Sequence, residues 1–135
     1  MTKQYRSREG EATAVDTKTQ LTTLGSETAP GPLLVPAGMT KLAAAIVAAS
    51  ANYAAATGSS GLVRLEGPGL PAGPEVLAAT AEGSNVATGG AHTSRAVIIP
   101  LDVPVTTSQE ILIFGEMVGT DVGQMSFGVT LVFSS

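Results

Sequence analysis

The 135-residue chain is 44% hydrophobic but only 13% charged, about half the ~25% of an ordinary soluble domain, and has a net charge of −4 and no cysteine. These figures exclude disulfides, thiolate metal sites and a cysteine nucleophile, and seven basic residues are too few for a dedicated nucleic-acid binder. The length suits one domain, and a surface so poor in charge implies that other subunits cover part of it.

Residues 1–10 hold Lys3, Arg6 and Arg8 against Glu9 alone, a charge of +2, whereas the remainder sets four basic residues against ten acidic ones, a charge of −6. Apart from Tyr5 this segment offers almost nothing apolar to bury. It cannot offset its ordering entropy, ~1–2 kcal/mol per residue, by packing on its own domain. The expected division is an extended N-terminal arm and edge strand over residues 1–25 and a β-sandwich domain over 26–135. The arm is expected to lie on an acidic neighbouring subunit with Tyr5 as its anchor; a solvated terminus is the plainer alternative. No charged, apolar and cleavage-site regions of a secretory leader open the chain, which predicts synthesis in the cytoplasm without general export.

Residues 11–24 are Thr-rich and weakly alternating, which predicts one extended edge strand. The composition of 25–32 (GSETAPGP) is that of a turn, and 33–35 is a brief apolar strand stopped by Pro36, Ala37 and Gly38. Residues 39–57 (MTKLAAAIVAASANYAAAT) are ambiguous. Ala favours a helix, on which Leu42, Ile46, Ala49 and Tyr53 would share a face, but the flanking segments read as β and no capping box precedes the run. A strand over 41–51 is the preferred reading, with a single helix as the alternative. The longest apolar run, 42–49, falls far short of the ~20 residues that cross a bilayer.

Further strands are predicted at 62–66, 75–80 and 95–99, with a long loop over 81–93 and a proline-bracketed edge or bend at Pro100 to Pro104. The clearest β signal follows. Residues 110–114 carry a continuous apolar run, Ile111 to Phe114, which suits a strand covered on both faces. Residues 119–123 (GTDVG) turn the chain into a strand over 126–133 that puts Phe127, Val129, Leu131 and Phe133 on one face. Ile113, Phe127, Leu131 and either Ile98 or Ile99 are the expected core. About eight short strands separated by Gly, Pro and Ser predict an all-β chain, a single jelly-roll-like β-sandwich.

Candidate chemistry is thin. The one histidine, His92, is predicted in a loop beside Gly89 and Gly90, and no G-x-S-x-G elbow is present. Glu66, Asp102, Glu110, Glu116 and Asp121 match no calcium-loop spacing, and the Gly-Pro-Gly and Gly-Gly turns lack the lysine of a phosphate loop. No enzyme activity, cofactor, metal or small-molecule substrate is expected. Arg64 and Arg95 interrupt apolar strands and read either as outward charges or as interface anchors pairing with Glu66, Glu110 or Glu116. The candidate interface residues are therefore Lys3, Tyr5, Arg6, Arg8, Arg64 and Arg95.

The stretches VPAGMTKLAAAIVAAS, LVRLEGPGLPAGP and SRAVIIPLDVPVTTSQEILIFGEMVG resemble strand and turn segments of small jelly-roll structural proteins of viruses, over residues 33–133. The resemblance implies a virion component, either a cement (decoration) protein or a capsid subunit, that forms trimers or larger assemblies and contacts a major capsid protein or shell neighbours. A carbohydrate- or other ligand-binding β-module is the reading from a different class. It is disfavoured by the absence of Trp and by only two Tyr and three Phe, because carbohydrate sites present aromatic faces. A subunit of a non-viral filament or shell shares the assembly argument.

Overall fold

The structure is a computed structural model that describes residues 2–12, 16–21, 32–53, 59–68, 70, 75–82, 91–119 and 123–135. These form nine strands: β1 (Lys3–Ala12), β2 (Thr19–Gln20), β3 (Leu33–Leu34), β4 (Lys41–Tyr53), β5 (Ser59–Glu66), β6 (Glu75–Glu82), β7 (Ala91–Pro104), β8 (Glu110–Gly119) and β9 (Gly123–Ser134). The first strand lies on the last, β2 and β3 lie on β8, β4 lies on β7, and β5 lies on β6, all antiparallel. The chain is thus one long hairpin rolled up, and additional β4–β9 and β5–β8 ladders stitch the roll into two sheets. The first has the order β1-β9-β4-β7 and the second β2-β8-β5-β6, with β3 also on β8. This wrapped hairpin is a jelly roll. Because β2 and β3 occupy successive stretches of β8, opposite Gly115 and Phe114 and then Ile111 and Glu110, they act as one interrupted strand, and the sandwich has eight tracks.

The two sheets close on a core made by inward-facing side chains of period two. In β9, Met125, Phe127, Val129, Leu131 and Phe133 are all buried, the alternation predicted for it. Residues 41–53 are a strand, and the helix alternative is overturned. The reason is tertiary: β4 is an inner strand with ladders to β7 on one side and β9 on the other, which outweighs the helix propensity of Ala. Its ladders shift register between Leu42 and Ala44, and thereafter Ala45, Val47 and Ala49 face inward. Pro100 and Pro104 both sit in β7, at the edge of its sheet, where a missing donor leaves no gap in an inner ladder.

Several expectations need correction. The N-terminal segment is extended and lies at a sheet edge, but it does not reach off its own domain: Lys3 to Ala12 pairs continuously with Ser134 to Met125 of β9. Backbone pairing needs no apolar side chains, so polar composition was a poor guide. Residues 11–24 are not one strand. The chain turns at Asp16, which holds φ 55 and donates its N–H to Met117 O at 2.7 Å, and this separates β1 from β2. The run Ile111 to Phe114 is not covered on both faces: Ile111 and Ile113 are buried, while Leu112 and Phe114 are half-exposed on the outside of the second sheet. Of the two core alternatives, Ile99 packs against the core, whereas Ile98 is 72% exposed. Of the loop expected over 81–93, residues 81–82 belong to β6 and residues 91–93 to β7. Residues 83–90, the turn expected over 25–32 except Pro32, and residues 120–122 lie outside the described residues.

Candidate assembly surface

The strand registers determine which side chains share the outside of each sheet. On the first sheet, Tyr5, Val132, Ala44 and Pro100 form one row across β1, β9, β4 and β7. The next row is Ser7, Thr130, Ile46 and Ile98, and the one after it Glu9, Gly128, Ala48 and Ala96. These outward positions carry a single formal charge, Glu9, at the β1 margin. Tyr5 is 56% and Ile98 72% exposed, so two of its large side chains present apolar surface to solvent. Lys41 pairs with Asp102 at 3.0 Å at one end of the face, a well-exposed contact that adds little to stability.

The relief of this face is uneven. Ile98 projects from β7, while at Gly128 of β9 the absence of a side chain leaves a depression of about 230 Å³ bordered by Ser7, Thr130, Ile46 and Ala48 and, on its β1 side, by Arg8 and by Glu9, the register partner of Gly128. A β-carbon at Gly128 would meet no atom within 4 Å. The rim at Ser7 and Thr130 is held by a hydroxyl–hydroxyl hydrogen bond of 2.8 Å between β1 and β9.

The outside of the second sheet is different in kind, because it carries two ion pairs formed within the chain. Lys18 Nζ lies 2.8 Å from Glu66 Oε2 and 4.5 Å from the centre of the Phe114 ring, over which it crosses to reach β5. Arg64 Nε donates to Glu116 Oε1 at 3.2 Å across the β5–β8 ladder. At one end of the sandwich, Pro68 and the segment from Pro104 to Gln109 line an open groove of about 650 Å³. It is held by Gln109, whose Nε2 donates to Pro68 O and whose Oε1 accepts from Thr106 N, both at 3.0 Å. Its lining is neutral and without aromatic rings.

The six residues singled out from sequence do not form one patch. Lys3 and Tyr5 share the outside of the first sheet. Arg6 and Arg8 have the opposite parity on β1: Arg6 donates to Tyr5 O and Gln4 Oε1, and Arg8 donates to Ser7 O at 2.8 Å and to Pro32 O at 3.4 Å, tying β1 to the approach to β3. Arg64 belongs to the other sheet and pairs with Glu116 of its own chain. Arg95 is placed opposite Ala49 in the β4–β7 ladder, and its side chain lies outside what is described. Ile46, Ile98, Val132 and Gly128 were missed. Their parity within each strand was readable, but their adjacency was not, since it depends on which strands neighbour one another. His92 lies in β7 opposite Asn52, not in a loop. Of the carboxylates, Glu66, Asp102 and Glu116 are in ion pairs, Glu110 is exposed at the start of β8, and Asp121 lies outside the described residues. Among the described residues, no group of three or more His, Asp or Glu is placed to hold a metal ion.

No family model matches the chain, and no curated protein matches it. Among solved structures it aligns with a chain from the crystal structure of the T13 IBDV viral particle, at 12% sequence identity and a TM-score of 0.39. The alignment covers 97% of this chain and 31% of the other, so this chain spans about a third of the length of its match.

Proposed function

We propose that the chain is a structural, self-assembling component of a virion, a cement protein or capsid subunit whose partners are further copies of itself and the neighbouring shell. The observation that carries this reading is the outside of the β1-β9-β4-β7 sheet. An antiparallel sheet that faces water on one side alternates apolar-in with polar-out, yet beside Ser7, Thr130 and Glu9 these outward positions hold Tyr5, Ile46, Ile98, Pro100 and a run of Ala and Gly, with Val132 covered among them. A contiguous apolar face of this kind marks an interaction surface. The jelly roll itself serves viral capsid proteins, lectins and cupins alike, so the fold narrows the choice without making it. A lectin-like site is not favoured by a groove without aromatic rings, and a chain with one histidine lacks the ligands of a histidine-rich metal centre.

The test is light scattering together with negative-stain electron microscopy of the purified chain over a range of concentrations and ionic strengths. Trimers or larger assemblies are expected. A 13.5 kDa monomer under every condition would overturn the assignment.

A further inference from the structure

We propose that the outside of the β1-β9-β4-β7 sheet docks on the same face of a second copy of this chain, with Ile98 of each copy entering the depression at Gly128 of the other. This rests on the assembly reading above and names one of its contacts. Ile98 stands on β7 in the row of Ile46 and Thr130, and Gly128 lies on β9 one row further along. With strands about 4.8 Å apart and alternate residues about 6.8 Å apart, knob and hole are separated by roughly 12 Å on one face. A two-fold axis in the plane of contact, crossing midway between them over Ile46 and Ala48, sends each Ile98 onto the partner's Gly128. This is the reciprocal geometry of an isologous interface.

Size, area and charge agree with a second copy as the occupant. The depression, about 230 Å³, exceeds the ~150 Å³ that takes a benzene-sized group, so a branched aliphatic side chain fits. Four strands and about five levels of outward side chains mark out roughly 600 Å² per copy, or about 1,200 Å² for two, the lower bound of a specific interface. Two copies each of net charge −4 repel, but the three central rows carry only Glu9, and Lys3, Glu11, Lys41 and Asp102 lie in the two end rows, at the rim of the contact where charges stay solvated. Among the described residues, the outside of the second sheet carries Lys18, Glu66, Arg64 and Glu116 in internal pairs.

The chain has no cysteine, so introduced thiols report unambiguously. Ile98→Cys and Gly128→Cys chains, mixed and treated with a short bifunctional thiol cross-linker, are expected to give a covalent dimer, because sheets packed face to face stand about 10 Å apart, within the span of such a reagent but beyond the ~7 Å limit of a direct disulfide. Neither chain alone is expected to do so, because like positions are offset by about 12 Å along the face as well as by about 10 Å across it, roughly 16 Å in all. Ile98→Asp and Gly128→Leu are each expected to weaken association about tenfold or more in sedimentation velocity, with thermal unfolding of the single chain unchanged. Cross-linking by either chain alone as strong as in the mixture, or both substitutions leaving association intact, would overturn the docking mode. If light scattering still shows trimers or larger, assembly stands and uses another face; if the mixture cross-links but nothing beyond a dimer forms, the docking stands and the shell assignment falls.

Discussion

The ring of Phe127 on β9 fills the space over Gly115 on β8: a β-carbon on Gly115 would stand 2.5 Å from Cδ2 and 2.9 Å from Cε2 of that ring. Gly61 on β5 borders the same ring, and a β-carbon there would stand 2.9 Å from Cε1 of Phe127 and collide with Sδ of Met125. The second sheet thus presents bare backbone where the first presents its bulkiest inward side chain, and this lets the layers close. Gly115→Ala and Gly61→Ala should each destabilise the fold by about 1–3 kcal/mol through overpacking. Adding Phe127→Leu should return part of the loss in the Gly115→Ala background. Denaturant midpoints check both points, and an unchanged midpoint for Gly115→Ala would contradict the close approach.

Leu131 and Ile113 face each other's sheets from β9 and β8 and are 0% and 2% exposed. Truncating either to Ala removes buried methyl groups and leaves a cavity that close-packed neighbours only partly fill. The expected loss is about 2–5 kcal/mol, read from urea unfolding. Ile98→Ala, on the open face, should shift the midpoint by no more than about 0.5 kcal/mol.

Removal of residues 1–12 takes away all of β1 and strips the whole β1–β9 ladder from the strand that carries Phe127 and Leu131. The shortened chain should lose its cooperative thermal transition or become insoluble, because β9 would then be an unprotected edge. Circular dichroism on heating measures this. Unfolding identical to that of the full chain would mean that the first strand contributes only to association.

Arg64 and Glu116 keep side-chain exposures of 26% and 16%, so their contact is only partly screened by water. A double-mutant cycle with Arg64→Ala and Glu116→Ala should give a coupling of about 0.3–1 kcal/mol at low salt. It should shrink in 1 M salt, where the Debye length falls to ~3 Å. No coupling at low salt would show that the pair does not form in solution.

The amino-acid sequence by itself determined the class of structure. Period-two alternation is a local property, and in β9 the order Phe127, Val129, Leu131, Phe133 allows one buried face whatever lies beside it. What only the tertiary structure decided is neighbourhood. Whether Leu42 to Tyr53 became helix or strand depended on ladders to β7 and β9, far along the chain, because Ala fits either state. The place of Lys3 to Ala12 depended on the last strand of the chain, since backbone pairing leaves no mark on side-chain composition. The candidate surface follows from the same cause: Tyr5, Ile46, Ile98 and Gly128 come from four segments, and only the rolled hairpin sets their strands side by side, turning scattered apolar and small residues into one face with a knob and a hole.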